Sequence, residues 1–423
     1  MNRSVTLRFL LSGFAAALLA APADADILYR FRESVLFDGQ HGPIAKAQAR
    51  ANAALIACGK PGTITADGKL GPGTRAALVS LAQCPAIAPK LTADAEARAG
   101  ALTQAYWQAL VGEPEPSVDD RARTLMLTYE ATDYTDMEWN FCQSRPLFNP
   151  AAGNRVCFSN DPRSYLTWGP NGATGGGGRE VQLILQAVDA ATPSLLDASF
   201  AGEAATVRRM FRMRDGDAAR SLETYLCGIW IDSARRAAWT AGFAAIGQVP
   251  AVRATFDGHY KSASLDGGKI ATFFRAYAAN GLQPTEIDYA FFKDRAAHMS
   301  VSLAPIQQAI ANLLAAQPSA ARWKVRQAIA LNVRPGGTQR ADRLGRDVAF
   351  YIDGASDALG SDERSAWAER GRLRASDAGL TDARSFATFT PGPTIDTGIA
   401  DPASLTDAER AACPRAVLDT RTP

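Results

Sequence analysis

The chain has 423 residues, 45 Lys+Arg against 43 Asp+Glu, a formal net charge of +2 and six cysteines. So even a balance gives no electrostatic case for nucleic acid, which needs a concentrated basic surface. The length predicts two or three domains.

Residues 1–25 read as a secretory signal peptide. Arg3 and Arg8 supply a positive start, Phe9 to Ala21 an apolar stretch, and Ala23-Asp24-Ala25 a small-x-small cleavage site. The mature chain is expected to begin near Asp26 with a net charge of +1, because Arg3, Arg8 and Asp24 leave with the leader. No later run stays apolar over the roughly eighteen residues a spanning helix needs, so a soluble product, periplasmic or secreted, is expected. In an oxidising compartment the six cysteines read as three disulfides, in principle any of about fifteen connectivities. Sequence neighbourhood pairs Cys58 with Cys84 and Cys142 with Cys157, which leaves Cys227 with Cys413. His41, His259 and His298 show no metal-ligand spacing, and neither a metal nor a cofactor is expected.

Residues 34–90 read as a small helical domain. Ile44 to Cys58 is Ala-rich; Asp67-Gly68 is a turn, and Gly71-Pro72 a second turn that sets the entry to the next helix. Thr74 lies at that helix's start, and Ala77, Leu78 and Leu81 give it a buried face. The string matches every fixed position of Asp-Gly-x-x-Gly-Pro-x-Thr-x-x-Ala, and so resembles the peptidoglycan-binding module of bacterial wall enzymes. The resemblance implies a three-helix domain that binds peptidoglycan, with Asp67, Gly71 and Thr74 as candidate contacts. The blander reading of the same residues is a structural turn. A Cys58–Cys84 bridge would staple a domain too small for a generous core.

Residues 91–116 read as a connector with some helix (93–111), ending in Gly112-Glu113-Pro114-Glu115-Pro116. From 117 to 384 apolar residues recur every three to four positions, which predicts helices over 118–130, 180–188, 218–242, 269–279, 286–298, 305–315 and 341–359. Strand signals are confined to about 156–174. The expected class is mainly α with a small β-hairpin lobe. Residues 385–423, rich in Pro, Thr, Gly and Asp, read as an irregular tail pinned by Cys413.

The chemistry centres on two fragments. In the first, Ser117 and Asp120 fit a capping box, and Val118, Ala122, Leu125, Met126 and Tyr129 share one face. Glu130 falls at the C-terminal end, where the helix dipole and partial burial both disfavour a charge, as a proton donor requires. The second runs Asp161-Pro162-Arg163-Ser164-Tyr165-Leu166-Thr167-Trp168-Gly169 into the tight-turn signal Asn171-Gly172. A helix-ending glutamate followed by Asp-x5-Thr-x-Gly on a hairpin resembles the active-site layout of phage-type lysozymes, and of chitosanases in the same superfamily. The likeness covers roughly residues 118–188.

That resemblance implies Glu130 as general acid and Asp161 as the group that acts on the water or the developing sugar cation. Thr167 would hold the water, and Tyr165 and Trp168 would stack on sugar faces. The chain departs from the pattern in the gap: about thirty residues separate Glu130 from Asp161, where phage-type lysozymes have eight. The insert carries Cys142 and Cys157 and the rival acids Asp133, Asp136 and Glu138. The competing readings are a solvated helix-end glutamate, Asp161 as a turn residue before Pro162, and packing aromatics. Glu180 reads as a carboxylate favoured at a helix N-terminus. Asp288 and Arg295 stand as secondary substrate candidates beside the core-lining pair Phe291 and Phe292.

Together these imply an exported, monomeric hydrolase of the β-1,4 glycan backbone of peptidoglycan. Alternatives are a non-catalytic peptidoglycan-binding protein on the same scaffold and a chitosanase-like hydrolase of another glucosamine polymer. Glu130 is followed by Ala131, whereas lytic transglycosylases typically show Glu-Ser. An amidase or peptidase would need zinc ligands or a Cys/His nucleophile, and neither is visible. The glycines 175–178 lack a following Gly-Lys-Ser/Thr, so they are not a phosphate loop.

Overall fold

The computed structural model describes residues 26–140, 164–214, 221–336 and 339–413. The leader, Asp161, Cys142 and Cys157 lie outside the described residues. The protein is mainly helical, 57% helix against 7% strand, with small sheets.

The N-terminal part comprises β1 (Ile27–Tyr29), β2 (Leu36–Phe37), α1 (Pro43–Ala57), β3 (Lys69–Leu70), α2 (Pro72–Leu81), α3 (Ala95–Arg98), β4 (Leu102–Thr103) and α4 (Gln104–Leu110). Pro43 and Pro72 open α1 and α2, where a missing N–H costs nothing and the fixed φ suits the helix. β2 and β3 pair antiparallel, Leu36 opposite Leu70. Gln48 is the hub of the turn between them. Its amide nitrogen donates to Asp67 Oδ1, Lys69 O and Thr74 Oγ1, each at 3.0 Å, and its oxygen accepts from Gly68 N at 2.9 Å. Gly68 sits at φ +73°, and a Cβ there would lie 2.2 Å from the Gly39 carbonyl oxygen, so only glycine closes this turn. Cys58 and Cys84 are bridged.

The connector reading needs correction. Leu91, Leu102, Tyr106 and Trp107 are buried in the same core as the module and the first helices of the body. β4 pairs with β1, and the Tyr106 hydroxyl donates to Leu78 O at 2.6 Å. A segment carrying that much aromatic surface gains more by packing than by acting as a spacer.

The body begins with α5 (Val118–Glu130), whose Ser117–Asp120 capping box forms as expected. Next come β5 (Met137–Trp139), β6 (Ser164–Trp168) and β7 (Ala173–Gly176), an antiparallel sheet in the order β5-β6-β7. Helices follow: α6 (Glu180–Ala191), α7 (Pro193–Phe200), α8 (Ala204–Met210), α9 (Ser221–Ile231), α10 (Ser233–Gly247), α11 (Pro250–Tyr260), α12 (Asp266–Ala279), α13 (Glu286–His298), α14 (Leu303–Ala316), α15 (Arg322–Asn332), α16 (Gln339–Val348), α17 (Ile352–Ala355) and α18 (Ser361–Glu369). The helix expected over 218–242 is two, because Asp232 caps α10 by accepting from Ala234 N and Arg235 N. One core joins the N-terminal part to α5 and α12–α15; a second joins the sheet to α6–α11. Phe291 and Phe292 are fully buried, as read from the sequence.

The tail is irregular apart from α19 (Asp407–Ala412), yet it straps across these two cores, a third and smaller one lying among α15–α18. Phe386 stacks on Tyr289 at 4.0 Å, Gly392 bridges to Ser262, and Arg179 donates to the carbonyls of Thr397 and Gly398. The Cys227–Cys413 disulfide pins the end. Among the described residues there are two disulfides, and no helix is long and apolar enough to cross a membrane; both facts are compatible with an exported protein.

Candidate active site

α5 and α13 lie side by side and parallel: Asp119 meets Tyr289 and Lys293 at their starts, and the last residue of α5 lies close to His298 at their ends. Glu130 closes α5, and Ala131, at φ +54°, turns the chain toward the sheet. The Glu130 side chain is 33% exposed, and its Oε1 accepts from Arg346 Nη1 at 2.6 Å. No described residue hydrogen-bonds Oε2. Arg346 is held in turn by Asp294, which accepts from its Nη2 at 2.5 Å and its Nε at 3.2 Å. The other Asp294 oxygen takes Arg343, and Asp347 pairs with Arg343 at 2.9 Å and Arg295 at 3.6 Å. Burial alone would push the Asp294 carboxyl up, but Arg343 and Arg346 outweigh it and hold the group well below the usual carboxylate range.

The signal for this cluster is the run Asp342-Arg343-Leu344-Gly345-Arg346-Asp347. Its alternating charges read as a solvated helix face, although residues 343–348 are all buried. Asp288 and Arg295 are fully buried, so neither meets substrate: Asp288 accepts from Arg326 and the Tyr277 hydroxyl, and Arg295 lies in the Asp347 cluster.

His298 completes the surroundings of Glu130. Its Nε2 lies 3.1 Å from Asp342 Oδ2. Burial, followed by Arg346 and Arg343, lowers the imidazole to about 4. A base whose folded pKa lies below its unfolded value near 6.5 binds its proton more readily when unfolded. Stability from His298 is therefore complete above pH ~6.5 and drains away as pH falls through 4. His298→Gln is expected to flatten the stability–pH curve between those values; an unchanged slope in denaturant titrations would refute it.

The hairpin residues have other partners. Thr167 Oγ1 accepts from Asn140 Nδ2 at 2.7 Å and stands in register between Glu138 and Thr174. Among the described residues no hydrogen bond joins it to Glu130. Trp168 is 0% and Tyr165 3% exposed, which corrects the sugar-stacking expectation. The Trp168 ring sits edge-on to Phe256, and its Nε1 donates to Tyr134 O at 2.7 Å. Of the rival acids, Asp133 accepts from the backbones of Gln40 and Tyr134, tying body to module, and Asp136 accepts from Asp133 N. In the module, Thr74 and Gly71 are buried and Asp67, partly exposed, bonds Gln48 and Lys69 N, so these residues build the turn.

Asp119, Arg123 and Met126 continue the Glu130 stripe back along α5, spaced four, three and four residues apart. They line a solvent-open pocket with a cavity volume of about 80 Å³, completed by Asn171, Asp257, Tyr260, Asp266, Tyr289 and Lys293. Burial opposes ionisation of Asp119, but Lys293, the Tyr289 hydroxyl at 2.5 Å and Lys261 hold its carboxyl low. Asp266 and the adjoining Glu180 go the other way. Burial pushes both carboxyls up, although Glu180 accepts from Thr174 N at 2.8 Å and the Tyr260 hydroxyl at 3.1 Å. Glu180 thus departs from the favoured helix-start carboxylate read from sequence; burial outweighs the dipole there. The pocket was not legible because its acids come from three separate segments, α5, α11 and α12. No family model, no curated protein and no solved structure matches the chain.

Proposed function

We propose that the protein is an exported cell-wall glycan hydrolase that cleaves β-1,4 bonds of peptidoglycan, with Glu130 as general acid. The observation that carries the reading is the placement of Glu130. It ends α5 directly before the three-stranded sheet, one-third open to solvent, with one carboxyl edge fixed by Arg346 and the other free of described partners. The position at the helix end, though not the Arg346 ion pair, fits what the lysozyme-like resemblance implies: a carboxyl that protonates the leaving glycosidic oxygen while a second carboxylate, here assigned to Asp161, serves the opposite sugar face. The module's motif turn supports delivery to the wall, since tethering raises local substrate concentration.

A second reading, a non-catalytic peptidoglycan-binding scaffold, is favoured by the Glu130–Arg346 ion pair and by the burial of Tyr165 and Trp168. Digestion of purified peptidoglycan by the mature chain, analysed by mass, separates the two. The hydrolase reading expects reducing-end muropeptides from wild type and a loss of roughly 10²–10⁴-fold in Glu130→Gln, with the thermal midpoint little changed. Equal turnover in the variant removes Glu130 from the role. Wall binding without products from either protein supports the scaffold, and products from chitosan alone support the chitosanase-like alternative.

A further inference from the structure

A second pocket, with a cavity volume of about 240 Å³ and open to solvent, lies where the N-terminal segment crosses the module. Arg30 and Arg32 reach it from the segment after β1, Arg75 from α2, and Phe31, Ala99 and Ala101 form an apolar side. Among the lining residues three arginines meet one carboxylate, Glu96, which is 46% exposed and 3.9 Å from Arg30 Nη1, while Arg32 turns its guanidinium to Ser376 and to Asp353 at 3.8 Å, so that Arg30 and Arg75 carry the uncommitted charge. Among the described residues the Arg30 side chain makes no hydrogen bond; its Nε is buried and meets Asp377 only as an ion pair at 3.8 Å. Among the described residues Arg75 bonds through Nε alone, to Ala99 O at 3.0 Å, so its terminal nitrogens remain to donate. Behind them lies Asp377, 1% exposed, at 3.8 Å from Arg30 and 3.2 Å from Arg32, with one oxygen unbonded. Burial pushes that carboxyl up to about 7 against the pull of Arg32, so near neutral pH it offsets only part of the arginines' charge.

We propose that this pocket is a carboxylate-binding site that takes the free carboxylates of peptidoglycan stem peptides, resting on the wall-binding reading given above. Guanidinium forks match carboxylate geometry and give charge-assisted bonds about twice as strong as neutral ones. The Phe31–Ala99–Ala101 side suits an acid with a small aliphatic side chain better than it suits phosphate. An incoming carboxylate gives Arg30 and Arg75 the acceptors that the fold does not supply.

The test is calorimetry of the mature chain with four probes: a disaccharide-tetrapeptide muropeptide, the same disaccharide without peptide, succinate and inorganic phosphate. Variants are Arg30→Gln and Arg75→Gln, with Arg410→Gln, on distant α19, as control. Thermal midpoints check folding, which Arg30→Gln should spare because it breaks no hydrogen bond among the described residues and the buried Asp377 keeps Arg32 at 3.2 Å. The expected result is muropeptide binding that needs the peptide and weakens about tenfold or more in Arg30→Gln and Arg75→Gln but not in Arg410→Gln. Muropeptide binding equal in all variants overturns the site and leaves the wall reading intact. Arginine-dependent binding of succinate without either wall probe keeps the carboxylate site and overturns its wall ligand. A site that binds only phosphate, or no probe, overturns the proposal.

Discussion

Asp294→Ala is expected to destabilise the protein by about 3–5 kcal/mol, because it removes the one acid shared by Arg343 and Arg346 and leaves the buried guanidiniums of Arg295, Arg343 and Arg346 with only Asp347 and Glu130 to balance them. The cost comes from stranded charge, not from lost packing. Replacing the three residues together by apolar groups of similar size (Asp294→Leu, Arg343→Met, Arg346→Met) is therefore expected to cost less than the single change. The pH dependence has a definite sign. The folded Asp294 carboxyl lies below its unfolded value near 3.9, so its contribution is present above pH ~4 and is lost as pH falls below it. Denaturant midpoints measured at neutral pH and near pH 3 check both parts. A loss under about 1 kcal/mol at neutral pH, or a triple variant weaker than the single, would show that the cluster is not held by this pairing.

The elements the sequence specified best are those fixed by local chemistry. α5 and α13 fall at 118–130 and 286–298 as expected, each begun by a capping box, Ser117 with Asp120 and Thr285 with Asp288. The hairpin followed from its Asn-Gly turn, and the Cys58–Cys84 and Cys227–Cys413 pairings formed as read. What local chemistry does not encode is which charged residues go inside. Arg343, Arg346 and Asp347 have the composition of a solvated helix face, yet α16 turns them toward Asp294 on α13, about fifty residues earlier in the chain. Arg326 is likewise buried against Asp288 and Asp382. Burial of such groups depends on partners from distant segments, which periodicity cannot supply.

The candidate site divides along the same line. Glu130 was legible because a helix terminus is a local feature, whereas Arg346, His298 and Asp266 come to the α5 stripe through tertiary packing alone. Trp168 and Tyr165 show the opposite error. Alternation on a strand says that one face is buried, but a sheet packed on a helical layer can bury both. β6 does so, with Ser164, Tyr165, Leu166 and Trp168 all buried.

Cys413→Ser is expected to destabilise more than Cys58→Ser, and the difference follows from loop length. The Cys227–Cys413 bridge closes a separation of 186 residues and the Cys58–Cys84 bridge one of 26. Chain-entropy bookkeeping gives about 5 kcal/mol for the longer loop and about 3.5 kcal/mol for the shorter. The longer bridge also ends the strap: it holds α19 on α9 and keeps Glu409 at Arg209, so its loss lets the chain beyond Phe389 fray from the second core. Contacts nearer residue 385, where Phe386 and Phe389 pack on Tyr289 and Phe274, belong to the first core and should persist. Hydrogen exchange should therefore rise in 397–412 and in α9 while α13 stays protected, with the thermal midpoint lower than in Cys58→Ser. The reverse order of midpoints, or exchange spreading to α13 first, would mean that the strap is held by its aromatic anchor and not by its disulfide.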